Sequence, residues 1–135
     1  MGTFFEKISL TNVKDDVRVE CGLRDEVRTV TLEAMPDTGA WALIINEEVR
    51  QKLGLAIVET VESSMADGST AMHDLTEAVE IRWKNRRIIQ QAVVMPDAKE
   101  VLLGALLLEG MDLYVDPVNQ RLAGVHGDKP VYMAC

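Results

Sequence analysis

Short stretches in which apolar and polar residues alternate, or in which a few apolar residues run together, recur along the whole chain. Most of them end at turn-forming residues such as Asp67-Gly68, Lys84-Asn85 or Pro96-Asp97. A period of two is the pattern of a strand with one buried face, and short apolar runs between turns are typical of fully buried strands. The pattern therefore predicts an all-β fold built from many short strands.

Individual segments follow from the same pattern. We expect strands over 4–10, 17–21, 27–34, 41–45, 55–65, 70–83, 86–95, 113–115 and 121–123, with a further extended run at 101–103. Between the fifth and sixth of these, Ala66-Asp67-Gly68-Ser69 has the Asp-Gly centre of a β-hairpin turn. The segment 17–21 is included because Val17, Val19 and Cys21 alternate with Arg18 and Glu20.

Two short helices interrupt the strands. Asn46 is a suitable N-cap for the first, since Glu47 and Glu48 follow it at positions where a helix favours anions. Gly54 is a typical residue at which such a helix ends. The second helix is expected over 105–110.

Composition limits the classes of function. With 135 residues and 47% hydrophobic content, the chain fits one globular domain spanning residues 1–135. Its net charge of −8 argues against nucleic acid and anionic membrane surfaces as partners. No apolar run is long enough to span a bilayer. Two cysteines do not make a disulfide framework, and we expect a cytoplasmic protein.

Asp37-Thr38-Gly39 follows the alternating strand that ends near Ala34. The simplest interpretation is a turn in which Asp37 caps its own backbone and Gly39 supplies a positive φ. The alternative is an active site, because a carboxylate beside a hydroxyl and a glycine can be held for acid–base chemistry. Three common residues alone do not decide between the two.

The surrounding motifs resemble those of retropepsin-like aspartic proteases, especially their small bacterial single-domain relatives. The Asp37-Thr38-Gly39-Ala40 motif ends a strand, and Leu102-Leu103-Gly104 is similar to the two hydrophobic residues and glycine of the family's second half. The hairpin at 66–69 lies at the position of the family's flap, and residues 108–117 look like the final helix and strand of the bacterial group. The resemblance implies a closed half-barrel of the acid-protease type.

The resemblance also implies an activity. Asp37, Thr38 and Gly39 would be catalytic, and Ala40 with Ala66, Asp67, Gly68 and Ser69 would contact a peptide or protein substrate. Such hydrolysis needs two carboxylates that share one proton across a water molecule. The chain has one Asp-Thr-Gly, so the second Asp37 must come from a second copy in a homodimer. The mechanism implies no cofactor and no metal.

Other interpretations remain open. Pro36 stands where the family usually has an aliphatic residue, and it favours the alternative of an inactive dimeric peptide-binding or scaffolding module. His73, His126, Cys21 and Cys135 lack the spacing of a metal site. The basic segment 82–87 is expected to be a solvated hairpin rather than a nucleic-acid contact.

Overall fold

Nine strands and three short helices follow one another in the computed structural model, which describes residues 3–132. They are β1 (Glu6–Asn12), α1 (Asp15–Glu20), β2 (Thr29–Pro36), β3 (Leu43–Ile45), α2 (Glu47–Leu53), β4 (Ile57–Ser64), β5 (Thr70–Trp83), β6 (Arg86–Val94), β7 (Val101–Leu103), α3 (Ala105–Gly110), β8 (Leu113–Asp116) and β9 (Arg121–Gly124). None of these helices is long and apolar enough to cross a membrane.

Six strands close into a barrel. Their order is β1-β2-β7-β3-β6-β5, and β1 closes the ring by pairing with β5 as well as with β2. β4 pairs only with β5 and lies outside the ring, while β8 and β9 form a separate hairpin. Closure removes the free edges that an open sheet would expose. The predicted all-β half-barrel is therefore confirmed.

The barrel interior is mainly aliphatic, because only 4% of the residues are aromatic. Alternate residues of β1, such as Ile8 and Leu10, and of β5, such as Val79 and Ile81, turn inward and are buried. α2 and α3 close the interior with Leu53 and Leu107, and β9 adds Leu122. Each fully buried aliphatic side chain of this size contributes about 1.5–3 kcal/mol of transfer free energy.

The prediction of a strand at 17–21 is wrong, because residues 17–20 lie in α1 and Cys21 is its C-cap. The alternation there does not reflect burial, since Val17 is 58% exposed. The segment is fixed by Asp15, which is 0% exposed and binds Arg18 and Arg28. An ionic contact with a residue 13 positions away, Arg28, outweighs a weak strand pattern.

The other two helices match their sequence signals. Asn46 Oδ1 accepts a hydrogen bond from the Val49 N–H at 2.9 Å, which satisfies one free donor at the start of α2. Gly54 ends the helix at φ 61°, a conformation that glycine adopts without the steric cost of a Cβ. α3 covers the predicted residues Ala105–Gly110.

β4 and β5 extend beyond the barrel as a hairpin. Residues 74–83 of β5 pair with β6, whereas residues 70–73 pair only with β4. We call residues 61–73 the distal hairpin. Its tip closes with a hydrogen bond from the Met65 N–H to the Ser69 carbonyl oxygen at 2.7 Å, with Gly68 at φ 87°.

A β-bulge interrupts the pairing of β5 with β6 between Leu75 and Ala78. Thr76 compensates for the disrupted ladder there. Its hydroxyl accepts a hydrogen bond from the Ala92 N–H at 3.0 Å and donates one to the Glu77 carbonyl oxygen at 2.7 Å. The bulge thus lies where the distal hairpin joins the barrel wall, and one buried side chain fastens it.

Candidate active site

The Asp37 loop connects β2 to β3 and is fastened to the second half of the chain. The Asp37 N–H donates to the Leu103 carbonyl oxygen at 3.0 Å, which extends the parallel pairing of β2 with β7. The Ala40 N–H donates to the Asp37 carbonyl oxygen at 3.1 Å and closes the turn. The N–H and the carbonyl oxygen of Asp37 are therefore both held by backbone hydrogen bonds.

The carboxylate of Asp37 has one hydrogen bond within residues 3–132. The Gly39 N–H donates to Asp37 Oδ1 at 2.9 Å, and a Cβ at position 39 would lie 3.1 Å from that oxygen. Gly39 does not have a positive φ, so the glycine allows a close approach to the carboxylate and does not set the handedness of the turn. Asp37 is partly exposed, and Thr38 beside it is exposed. The carboxylate is therefore oriented but retains free acceptor positions.

Gly104 brings the second half of the chain against the loop. Its N–H donates to the Ala42 carbonyl oxygen at 3.1 Å, and the Ala105 N–H donates to the Ala40 carbonyl oxygen at 2.8 Å. A Cβ at position 104 would lie 2.4 Å from the Ala42 backbone nitrogen and 2.6 Å from the Trp41 carbonyl carbon. A side chain at 104 would displace the backbone that leaves the Asp37 turn.

Pro36 removes no hydrogen bond from the pairing of β2 with β7. Amide groups alternate between the two sides of a strand, and the Asp37 N–H already points towards β7. The nitrogen of Pro36 therefore points to the opposite side, where pairing with β1 has ended at Glu6 and Ala34. A proline is tolerated at such a strand end. Its presence is thus no argument for a distorted loop.

One face of the sheet carries a second, smaller apolar cluster. We call it the second cluster; its buried members are Ala42, Ile44, Leu75 and Val93, and Ala40, Val61, Met95 and Leu102 pack against them. Paired residues share a face of a sheet, so the register places a continuous row of apolar side chains across β2, β7, β3, β6 and β5. Asp37 continues the alternation of β2 beyond Met35 and therefore belongs to the same face. The pairs of this row are Met35 with Leu102, Leu102 with Ile44, Ile44 with Val93, and Val93 with Leu75.

The predicted substrate-contacting residues occupy two separate places. Ala40 packs against the second cluster, next to buried Ala42 and Ile44. Ala66 to Ser69 form the exposed tip of the distal hairpin, and the tip's hydrogen bonds within the described residues are internal. Hydrogen bonds from the Ser69 hydroxyl and N–H hold the pKa of Asp67 below its usual value.

Sequence reasoning did not find two polar side chains on the inner face of the distal hairpin. Val61 pairs with His73 and Ser63 pairs with Ala71, so these residues share the face on which Val61 and Leu75 meet the second cluster. Ser63 Oγ and His73 Nδ1 are buried and have no hydrogen-bond partner among residues 3–132. The signal available in the sequence was a polar residue, Ser63 or His73, at an inward-facing position of each of the two hairpin strands.

The side chains considered as metal ligands in the sequence, apart from His73, have other surroundings in the structure. His126 Nδ1 lies 2.7 Å from Asp112 Oδ1. Burial opposes ionisation of Asp112, but hydrogen bonds from the Val131 N–H and from His126 hold its pKa below the usual value. Cys21 is exposed, and residues 3–132 contain no group of three metal-ligating side chains. Cys135 lies outside the described residues.

The basic segment 82–87 is a hairpin turn with mostly paired cations. Arg82 and Arg87 both bind Glu80, at 2.8 and 3.1 Å. Lys84 lies over the ring of Trp83, 4.5 Å from its centroid. Arg86 is buried, and its guanidinium donates to the carbonyl oxygens of residues 127 and 128. Its role is to hold the segment after β9 against the barrel.

A cavity of about 720 Å³ opens beside Thr38. α3 and the segment after it form most of its wall, which is largely apolar. Five large apolar side chains on this wall are between 48% and 56% exposed: Leu106, Tyr114, Val125, Val131 and Tyr132. The loop that carries Asp37 thus borders an extended apolar surface.

A protein-family model described as "gag-polyprotein putative aspartyl protease" matches residues 25–109, which is more than half of the chain. The chain belongs to this aspartyl protease family. The matched region contains the Asp37 loop, the distal hairpin and Gly104, and it includes most of α3. The barrel described above is retropepsin-like, in agreement with the resemblance found in the sequence.

Among solved structures, the chain is similar to the crystal structure of a retropepsin-like aspartic protease from Rickettsia conorii. The two share 20% sequence identity, with a TM-score of 0.44, over 85% of this chain and 88% of that chain. No curated protein sequence matches the chain.

Proposed function

We propose that this member of the aspartyl protease family is an endopeptidase that works as a homodimer, with Asp37 of each copy activating one water molecule. The observation that carries the proposal is the Asp37 carboxylate, which one backbone N–H orients and whose other acceptor positions have no partner among residues 3–132. Membership of the family supports the reaction class.

The proposed chemistry needs the two carboxylates within about 3 Å of each other. Like charges at that distance do not both ionise, so the pair holds one proton. The ionised carboxylate accepts a proton from water as it attacks the peptide carbonyl, and the protonated one donates to the carbonyl oxygen. Gly39 holds the carboxylate in place, and we assign to the Thr38 hydroxyl a hydrogen bond to the other copy's loop.

The apolar surface beside Thr38 supports the homodimer. Exposed Leu106, Tyr114, Val125 and Tyr132 form a patch on the same side as the loop. Contiguous exposed patches of this kind mark interaction surfaces. A two-fold axis near Thr38 would bury the patch of each copy and bring the two Asp37 side chains together.

A peptide substrate would lie across the face that carries the second cluster. Ala40 leaves room beside Asp37, because its side chain is a single methyl group. We assign to Ala66, Asp67, Gly68 and Ser69, at the tip of the distal hairpin, the role of a flap that covers the peptide and excludes water. Within residues 3–132, hairpin residues 70–73 pair with β4 and with no third strand, which supports this assignment.

Hydrolysis of a peptide library by purified protein tests the proposal. Wild-type protein should cut peptides with a bell-shaped pH profile on the acid side of neutral, with or without a metal chelator. Asp37→Asn should abolish cleavage, whereas Asp97→Asn, in the exposed turn after β6, should cut at the wild-type rate. An Asp37→Asn protein that still cuts at that rate would contradict the proposal. Wild-type protein that cuts nothing, yet binds a statine-type inhibitor, would favour an inactive peptide-binding module.

A further inference from the structure

Two polar atoms without a hydrogen-bond partner within residues 3–132 belong to side chains on the inner face of the distal hairpin. Buried side-chain atoms normally have a hydrogen-bond partner, so each exception calls for an explanation. Ser63 Oγ and His73 Nδ1 are two such exceptions within residues 3–132. Ser63 is 7% exposed and its Oγ is buried, so bulk solvent does not reach the hydroxyl.

The register places these two side chains within reach of one ligand group. Ser63 pairs with Ala71 and Val61 pairs with His73, so Ser63 and His73 are diagonal neighbours on one face. Diagonal neighbours have Cα atoms about 7–8 Å apart, a gap that two side chains and one small polar group fill. Leu75 on the same face packs against the second cluster, together with Ala40 from the Asp37 loop.

We propose that Ser63 and His73 form a subsite for a primary carboxamide, the side chain of glutamine or asparagine in the peptide substrate. This inference rests on the proposed function, because it names the kind of side chain that the same cleft accepts. The carboxamide N–H donates to His73 Nδ1, and the carboxamide oxygen accepts from the Ser63 hydroxyl. Both unpartnered atoms are then satisfied by one planar group.

The tautomer of His73 favours an amide over an acid. The ring is partly exposed, and of its two nitrogens Nδ1 is the one found buried without a partner among residues 3–132, so we assign the proton to Nε2. A proton on Nε2 keeps that N–H in water and leaves Nδ1 as an acceptor. A carboxylate presents only acceptors to Nδ1, and Glu59, opposite Leu75 on the same face, adds negative charge. An aliphatic side chain leaves both polar atoms without hydrogen bonds.

Entry of the amide group requires a small movement of the hairpin, because Ser63 Oγ and His73 Nδ1 are covered in the free chain. Residues 70–73 pair only with β4, so the hairpin moves without breaking the pairing of β5 with β6. The subsite is thus formed by the element that we propose to close over the peptide.

The test compares matched peptides in which one position at a time holds glutamine, glutamate or methionine. At one position, wild-type protein should prefer glutamine by roughly tenfold in kcat/KM over both others. Ser63→Ala and His73→Phe should each reduce the preference to less than about twofold, while the methionine peptide is cut at least as fast. Ser64→Ala, on the opposite face of the same strand, should leave the preference unchanged.

A second measurement distinguishes a binding role from a structural one. Ser63→Ala removes a buried hydroxyl that has no partner, so it should raise Tm. A lower Tm with equal loss of activity on all peptides would mean a structural role and would overturn the inference. So would a glutamine preference that both variants retain.

Calorimetry with Asp37→Asn protein and uncut peptides separates this inference from the proposed reaction. Preferential binding of the glutamine peptide without any cleavage by wild-type protein would contradict only the reaction. Cleavage without a glutamine preference would contradict only the carboxamide subsite. Absence of both cleavage and binding would overturn both.

Discussion

Asp15 and Asp37 both lie just beyond the end of a strand, but their carboxylates are held in opposite ways. Asp15 is 0% exposed and accepts hydrogen bonds from the Arg28 N–H, from the Arg28 guanidinium at 2.9 and 3.0 Å, and from Arg18 at 2.9 Å. Within residues 3–132, the carboxylate of Asp37 accepts one hydrogen bond, from the Gly39 N–H.

The difference separates a structural carboxylate from one that is available for chemistry. Hydrogen bonds from Arg28 are the main reason that the pKa of Asp15 lies far below its usual value, although burial opposes ionisation. A carboxylate whose acceptor positions are all occupied neither exchanges a proton nor binds water. Asp37 is fixed by its backbone instead, so its oxygens remain accessible.

The largest expected effect on folding is that of Asp15→Asn. The variant leaves Arg18 and Arg28 without their anionic partner, and we expect the free energy of unfolding to fall by about 3 kcal/mol. Asp37→Asn should lower it by no more than about 0.5 kcal/mol, because the side chain is partly exposed and makes one hydrogen bond. Urea unfolding of both variants at neutral pH measures the difference. Equal losses would show that the comparison is wrong.

Gly104→Ala tests whether the backbone positions Asp37. The added methyl meets backbone atoms of Ala42 at 2.4 and 2.5 Å, so the loop must shift. We expect a loss of about 2 kcal/mol in unfolding free energy together with loss of peptide cleavage. Gly110→Ala is the control, because its methyl meets the end of the flexible Ile88 side chain. If Gly104→Ala retains cleavage, the position of the carboxylate does not depend on this contact.

Thr38→Ala should have a smaller effect, confined to the dimer. The exposed hydroxyl has no side-chain hydrogen bond within residues 3–132, so its loss should not change the stability of the single chain. Each copy contributes one such hydrogen bond across the two-fold axis, so the substitution should cost about 1 kcal/mol per copy. The proposed dimer should weaken by about 2 kcal/mol in all, or roughly thirtyfold in Kd. Sedimentation equilibrium of both proteins measures this, and an unchanged Kd would remove Thr38 from the interface.

The smallest expected effect is the loss of stability at acid pH that comes from Glu47, at the start of α2. Hydrogen bonds from Arg50 and Gln51 lower the pKa of Glu47 from 4.5 to about 2. Because the folded state favours the ionised form, this stabilisation is present above pH 4.5 and is lost as the pH falls through about 2. Unfolding free energies between these pH values should decline less steeply for Glu47→Gln than for wild type. Parallel declines would mean that Glu47 does not contribute.

Features set by neighbours in sequence could be predicted from the sequence. Asn46 and Gly54 bound α2 through hydrogen bonds and a backbone conformation that depend on a few adjacent residues. The turn at Asp67-Gly68 and the position of Asp37 at a strand end are local in the same sense. Short-range signals therefore located the candidate catalytic residue and most strands.

Features set by distant contacts could not be predicted in this way. α1 depends on the pairing of Asp15 with Arg28, which a strand-like alternation concealed. The polar pair Ser63 and His73 becomes visible only when the register of β4 with β5 is known, because a shift by one residue would move either side chain to the other face.

The bulge fastened by Thr76 has a consequence for how such a protein adapts. A single strand, β5, forms both one strand of the distal hairpin and part of the barrel wall. The stiffness of the joint between them depends on one hydroxyl group, which replaces the missing ladder bonds at Ala92 and Glu77. For the flap proposed above, substitution of Thr76 should therefore change how widely the hairpin opens, and with it the bulk of the peptides admitted, without altering any residue of the Asp37 loop.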